Sequence, residues 1–247
     1  MLLDINFSRV AIYTNFNCNL RCKYCSAHSQ FRTKDDDYDI EDIKKDILYL
    51  VSLKNSEIKE FVIIGGEPLL YPRLKELIEF LSKFNKIITI MTNGVLLKQC
   101  DFLLKYFNKN TSNKIAISNY KLKNVLDFYN KNKDTLNIVL RPVTWCKTIN
   151  DYRTSTLNHF KPVEFCCRSV LLYQGKIWYC SVYLSNSFFI EHPENFKDLQ
   201  IDIKSFKSYN EIIKFLSKRN KICNGCNFWS RHPWEQGKYN INEVLIQ

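Results

Sequence analysis

The sequence has no stretch that resembles a membrane anchor or a secretion signal. No apolar run approaches the roughly 18 residues that a transmembrane helix needs. The opening residues Met1–Asn6 lack both a basic start and an apolar core of signal-peptide length. These absences predict a cytoplasmic protein that does not bind membranes. Because disulfides are rare in the cytoplasm, the 10 cysteines are expected to be metal ligands or redox groups.

The chain also lacks low-complexity tracts, Gly/Ser linkers and any concentrated basic segment. Its 247 residues suffice for one large α/β domain, or for a medium domain with a small appendage. The net charge of +11 comes from dispersed lysines, not from a basic tract of about 5–8 residues as in a nucleic-acid patch. We therefore expect no nucleic-acid partner. The expected substrate is a small molecule, and phosphorylated and nucleotide-linked compounds are among the candidates.

Strand and helix patterns alternate through the first two thirds of the chain. The predicted strands lie near residues 10–15, 61–64, 86–91, 115–118, 136–140 and, more weakly, 162–165. The predicted helices lie near residues 40–54, 73–84, 95–107, 121–132 and 150–160. Such alternation forms parallel βαβ units, and their number predicts a partial (β/α)6 TIM-like barrel over residues 1–160. In such barrels the chemistry lies at the C-terminal ends of the strands.

The pattern changes over residues 161–247, which are predicted to form a small second domain. Residues 171–173 and 177–180 are apolar and flank Gln174-Gly175-Lys176, as in a β-hairpin. A helix is predicted over 208–219, and a Cys-x2-Cys pair, Cys223 and Cys226, follows it. The α/β protein is thus expected to carry a C-terminal appendage that contains a hairpin, a helix and cysteines.

Three cysteines directly follow the first predicted strand, at Cys18, Cys22 and Cys25. A cubane iron–sulfur cluster has four irons and normally binds four thiolates, so three cysteines leave one iron open for chemistry. Zinc sites favour two Cys-x2-Cys pairs, and ferredoxin motifs have another spacing with a fourth cysteine. A purely structural group of buried cysteines would not need the polar residues Asn19 and Arg21 between them. The spacing therefore predicts a catalytic 4Fe–4S cluster.

The motif Cys18-x3-Cys22-x2-Cys25, with Tyr24 before its last cysteine, resembles that of the radical S-adenosylmethionine superfamily. Gly65-Gly66-Glu67-Pro68 after the second strand is similar to the glycine-rich motif of that family. The resemblance implies that S-adenosylmethionine binds the open iron. It also implies a flavodoxin- or ferredoxin-type electron donor. The implied cofactor-binding residues are Tyr24, Gly65, Gly66, Glu67, Pro68, Thr92, Asn93 and Ser118. The fifth-strand adenine motif of the family is not recognisable.

The C-terminal cysteines resemble the auxiliary-cluster region of the SPASM/twitch subgroup. The implied ligands of this second 4Fe–4S cluster are Cys167 (or its neighbour Cys166), Cys180, Cys223 and Cys226. A zinc ion is the alternative occupant, because four cysteines are also a common zinc set. Cys100 and Cys146 are not expected to bind metal.

By its length and its C-terminal cysteines, the chain resembles twitch dehydrogenases of the 2-deoxy-scyllo-inosamine type. The resemblance implies that a sugar or cyclitol alcohol loses a hydrogen atom to the 5′-deoxyadenosyl radical, and that the auxiliary cluster accepts an electron. Arg141, whose guanidinium suits bidentate recognition, is a candidate catalytic residue. Arg153, Glu191 and His192 are candidate bases. A peptide-modifying radical enzyme and a non-catalytic electron-transfer protein are the alternatives.

Overall fold

The computed structural model describes residues 7–23, 25–32, 36–143, 145–146, 169–188, 199–217, 231–232 and 236–238. The strands are β1 (Arg9–Tyr13), β2 (Glu60–Ile64), β3 (Ile87–Thr92), β4 (Lys114–Asn119), β5 (Ile138–Pro142), β6 (Trp145–Cys146), β7 (Val170–Tyr173), β8 (Lys176–Trp178), β9 (Gln200–Asp202) and β10 (Arg231–His232). The α-helices are α1 (Ile40–Ser52), α2 (Leu74–Leu81), α3 (Leu103–Tyr106), α4 (Lys123–Asn132), α5 (Ser181–Asn186) and α6 (Tyr209–Ser217).

Eight of these strands form one sheet, in the order β5-β4-β3-β2-β1-β7-β8-β9. All neighbours from β5 to β7 are parallel, and β8 and β9 add antiparallel strands at the far edge. This mixed α/β sheet confirms the predicted partial barrel. The hairpin strand β7 pairs with β1, Ala11 opposite Leu171, so the C-terminal part of the chain extends the same sheet. The helix near 150–160 and the strand near 162–165 lie outside the described residues, and the division at residue 160 stays a prediction.

The two faces of the parallel strands carry different side chains. Successive residues of a strand point to opposite faces. One face carries large apolar side chains that are fully buried in the core: Val10, Ile12, Phe61, Ile63, Ile88, Ile90, Ile115 and Ile117. The other face carries smaller or polar residues, among them Ala11, Thr89 and Ala116, and at its β5 edge Val139 is 45% exposed. The two faces of the sheet therefore differ in the size and polarity of their side chains.

The helices follow the predicted pattern, with one exception. Asp39 caps the start of α1, since its side chain accepts hydrogen bonds from the backbone N–H groups of Glu41 (2.8 Å) and Asp42 (3.3 Å). The prediction of one helix over 95–107 was wrong. A 3-10 turn over Leu97–Gln99 ends at Cys100, whose dihedral angles (φ −117°, ψ 54°) are not helical, and the short helix α3 starts afresh after it.

The predicted hairpin is confirmed as β7 and β8. Gln174 and Gly175 form its two-residue turn with φ values of 45° and 72°, as the type I′ turn that suits twisted strands requires. The helix α6 confirms the prediction over 208–219, whereas β9 and α5 were not anticipated. Within the described segments, no helix has the length and apolar character needed to cross a membrane.

Candidate functional site

Cys18, Cys22 and Cys25 lie on the loop that leaves β1 at the C-terminal edge of the sheet. This loop begins directly after Tyr13, extends to Cys25 and is called the cysteine loop below. Cys22 is buried, and Cys18 and Cys25 are half-buried. The pKa of Cys18 is raised to about 12, chiefly by burial and further by the negative charges of Cys25, Glu67 and Cys22. The three thiols are therefore close enough to interact electrostatically.

This donor set fits a cluster better than a single ion. In the parts of the chain that the structure describes, no three His, Cys, Asp or Glu side chains converge as ligands of one metal ion do. In a cubane each thiolate binds a different iron, so the thiolates stand farther apart than around one ion. A bound cation would also reverse the rise in the Cys18 pKa, because a coordinating thiol is deprotonated. Cys18, Cys22 and Cys25 therefore suit a 4Fe–4S cluster with three protein ligands.

The Gly65–Pro68 turn packs directly on the start of the cysteine loop. The Gly66 N–H donates to Asn15 O (2.8 Å), and the Glu67 N–H donates to Asn17 O (2.8 Å). A Cβ atom on Gly65 would lie 2.3 Å from Asn15 Oδ1, and one on Gly66 would lie 2.3 Å from the carbonyl oxygen of Phe16. The close approach that these glycines allow is made here by the start of the cysteine loop, and the cofactor contacts expected of Gly65 and Gly66 stay predictions.

The carboxylate of Glu67 joins this turn to the end of β3. It is completely buried and accepts hydrogen bonds from Thr92 Oγ1 (2.6 Å), Leu69 N (3.0 Å) and Asn93 N (2.8 Å). Burial raises the pKa of Glu67, and these hydrogen bonds act in the opposite direction. The side chains of Glu67 and Thr92 are thus hydrogen-bonded to each other. The cofactor contacts expected of both residues stay predictions. Pro68 is buried and begins the 3-10 turn Pro68–Leu70.

We expect Glu67→Gln to lower the free energy of unfolding by about 1–3 kcal/mol. The amide would place an NH2 group among three donors, so at least one buried donor would lose its acceptor. Urea denaturation of the variant measures the loss. Glu79→Gln is the matched control, because within the described residues Glu79 accepts a single, exposed hydrogen bond, from Tyr106 (3.1 Å). An equal loss in both variants would contradict this role for Glu67.

Asn93 contacts the cysteine loop through its side chain. Its Nδ2 donates to Asn19 Oδ1 (2.7 Å) and lies 3.7 Å from Cys18 Sγ, while its Oδ1 accepts from Val95 N (2.9 Å). An amide donor beside a ligating sulfur is one of the features that set the reduction potential of a cluster.

Asn93→Ala should make the midpoint potential of the reconstituted cluster more negative, by roughly 60 mV for a differential hydrogen bond of about 1.4 kcal/mol. The N–H donor stabilises the reduced cluster, which carries the additional negative charge. Redox titration followed by electron paramagnetic resonance measures the shift. Asn108→Ala, at the opposite end of the sheet, should leave the potential unchanged, and an unshifted Asn93→Ala variant would refute the contact.

The ends of β4 and β5 complete this edge of the sheet. Ser118 and Arg141 are register partners and therefore lie side by side. Arg141 is exposed, and its Nη1 lies 3.4 Å from Met91 Sδ. Both side chains lie on the face of the sheet opposite to the core residues Ile115 and Ile117, and their assigned roles stay predictions.

Sequence reasoning missed Tyr120, which follows β4. Its pKa is raised by burial and further by the charges of Cys22, Cys25 and Cys18, and its side chain hydrogen-bonds with Ser118. The phenol therefore lies near all three thiols. The available signal was its position just after a predicted strand end, where the chemistry of such barrels lies.

Several predicted residues lie outside the described part of the chain: Tyr24, Arg153, Cys166, Cys167, Glu191, His192, Cys223 and Cys226. Of the predicted auxiliary ligands, Cys180 is described, and it lies half-buried between β8 and α5. Cys100 is partly buried and packs against the core.

Known proteins resemble this chain in sequence and in fold. GTP 3′,8-cyclase of Clostridium botulinum (strain Okra / Type B1) is 27% identical over 253 aligned residues, which cover 90% of this chain and 77% of the cyclase. GTP 3′,8-cyclase of Petrotoga mobilis is 38% identical over 106 residues, 41% of this chain and 31% of the cyclase. The crystal structure of BtrN in complex with AdoMet and 2-DOIA superposes with a TM-score of 0.57 at 17% identity, over 94% of this chain and 98% of BtrN. The last likeness shows the fold alone.

The family model of the Radical SAM superfamily matches residues 12–156. This match covers more than half of the chain and includes the cysteine loop, the Gly65–Pro68 turn and the ends of β3 and β4. The protein therefore belongs to the radical SAM superfamily.

Proposed function

We propose that the protein reductively cleaves S-adenosylmethionine and abstracts a hydrogen atom from a sugar or cyclitol alcohol, which is thereby oxidised. The observation that carries this proposal is the half-buried loop of Cys18, Cys22 and Cys25 packed against the Gly65–Pro68 turn at the C-terminal edge of the sheet. A non-catalytic electron-transfer protein would not need this turn beside an open iron.

The residues of the site hold and orient the reacting groups. When bound, a reduced 4Fe–4S cluster supplies the electron that breaks a C–S bond of S-adenosylmethionine and releases the 5′-deoxyadenosyl radical. Cys18, Cys22 and Cys25 would hold this cluster. Glu67 and Asn93 lock the surrounding turns to the cysteine loop, so the geometry is set before the cofactor arrives.

The oxidation of an alcohol removes two electrons, so it needs an acceptor beyond the radical. Cys180, together with Cys167, Cys223 and Cys226, is proposed to hold an auxiliary 4Fe–4S cluster in that role, and zinc is the rival occupant. Arg141 is proposed to orient the substrate, and Glu191 is the candidate that takes up the proton of the hydroxyl. Arg153, whose guanidinium stays protonated, is a candidate only for orienting that hydroxyl. A flavodoxin- or ferredoxin-type protein is proposed as the donor that reduces the first cluster.

Support for a small polar substrate comes from the C-terminal ends of β4 and β5. Ser118 and Arg141 lie side by side there and offer polar groups. BtrN, which shares the fold over nearly its whole length, has been crystallised with AdoMet and 2-DOIA. The fold is thus compatible with the binding of such a ligand.

A purine nucleotide is the second candidate substrate. The relatives named GTP 3′,8-cyclase align with 90% of this chain, and the net charge of +11 favours a polyanion. In that case the hydrogen atom would come from the nucleotide, and its cyclisation would replace oxidation.

The test is an anaerobic assay of the reconstituted, reduced protein with S-adenosylmethionine and either 2-deoxy-scyllo-inosamine or GTP. We expect 5′-deoxyadenosine to form, and we expect deuterium placed at the oxidised carbon of the cyclitol to appear in it. Transfer from GTP instead would favour the second candidate. No 5′-deoxyadenosine from a fully loaded cluster would refute the activity itself, and a reaction without reductant is the background control.

A further inference from the structure

The C-terminal segment 236–238 lies against the cysteine loop. Gln236 forms an isolated antiparallel bridge with Cys22, and the Gly237 N–H donates to Arg21 O (2.9 Å). The segment thus pairs with the loop as a short strand would. Cys22, which pairs with Gln236, is the most deeply buried of the three cysteines and is 5% exposed.

The side chain of Gln30 stabilises this pairing by two further hydrogen bonds. Gln30 Nε2 donates to Cys22 O (2.9 Å) and to Gly237 O (2.8 Å). Both partners are carbonyl oxygens, which only accept, so the NH2 end of the amide must face them. Gln30 lies in the short turn Ser29–Phe31 that follows the last cysteine of the loop. The Gln30 amide therefore links the cysteine loop to a segment that lies 207 residues further along the chain.

We propose that Gln30 is a positioning residue that clamps the 236–238 segment onto the cysteine loop and shields the Cys22 side of the cluster from water. The inference rests on the proposed function only in that a cluster is bound there. The clamp itself consists of described protein groups.

The clamp has a physical consequence for the cluster. The potential of an iron–sulfur cluster depends on its exposure to solvent and on hydrogen bonds near its sulfurs. The reduced cluster carries one more negative charge than the oxidised cluster, and water stabilises that charge. Release of the segment should therefore raise the midpoint potential, and it should also free the backbone of Cys22 to move.

The variant Gln30→Met tests the clamp, because methionine has a similar length and no charge but cannot donate a hydrogen bond. The matched control is Gln99→Met, since Gln99 is an exposed residue in the 3-10 turn Leu97–Gln99. In the metal-free full chain, hydrogen–deuterium exchange at the Gly237 amide should become roughly tenfold faster in Gln30→Met, the effect of about one lost net hydrogen bond. The control should exchange as the wild type does.

In the reconstituted protein, the midpoint potential of the Cys18–Cys25 cluster should shift to more positive values in Gln30→Met and stay constant in Gln99→Met. Thermal unfolding of both variants shows whether the fold is kept. A Gln30→Met variant that folds, with unchanged exchange and unchanged potential, would overturn the inference. Failure of the wild type to bind any cluster would instead refute the proposed function, and the exchange result would still decide on the clamp.

Discussion

Replacing Cys22 with alanine is expected to reduce the formation of 5′-deoxyadenosine to background. The thiol is buried within the cysteine loop, where its charge acts on Cys18 and Tyr120, and no other described cysteine lies in that loop besides Cys18 and Cys25. Loss of outer-shell partners typically costs roughly 10–100-fold in metal affinity or activity, so the loss of a direct ligand should cost more. Iron and sulfide content, together with chromatography of the nucleoside products, measure the effect.

Cys100→Ala is the control for this experiment. Cys100 is half-buried against the core after the 3-10 turn Leu97–Gln99 and is not part of the cysteine loop. This variant should retain a full cluster and the ability to cleave S-adenosylmethionine. A Cys22→Ala variant with the iron content and turnover of Cys100→Ala would contradict the assignment of Cys22 as a ligand.

Gly66→Ala should damage both the stability of the protein and its capacity to bind the cluster. The added Cβ would lie 2.3 Å from the carbonyl oxygen of Phe16 and 2.4 Å from that of Asn17, and both are backbone atoms that cannot rotate away. The loop that leads to Cys18 must therefore shift. We expect the free energy of unfolding to fall by about 1–3 kcal/mol, as for an overpacked core, and the reconstituted iron content to fall with it.

Urea denaturation and iron analysis measure these two effects. Gly237→Ala provides the stability control, because a Cβ added there meets no atom within 4 Å. It should unfold at the same urea concentration as the wild type. If Gly66→Ala also behaved as the wild type in both measurements, the close packing of the two loops would be wrong.

Much of the site could be predicted because its parts lie at comparable positions of successive βα units. The C-terminal ends of parallel strands meet at one edge of the sheet, so the cysteine loop, the Gly65–Pro68 turn and Thr92–Gly94 had to converge. The role of Glu67 was not predictable in this way. Its carboxylate could have faced a ligand, and only the packed structure shows that it accepts hydrogen bonds from Thr92 and Asn93.

The local elements and the chemistry of the cysteine loop follow from the amino-acid sequence. Hydrophobic periodicity predicts strands and helices, and the spacing of Cys18, Cys22 and Cys25 predicts the cluster, because both signals lie within a few residues. The pairing of β7 with β1 and the bridge from Gln30 to Gly237, 207 residues away, became visible only in the packed chain. Such contacts depend on how distant segments pack together, and no local pattern of residues encodes that packing.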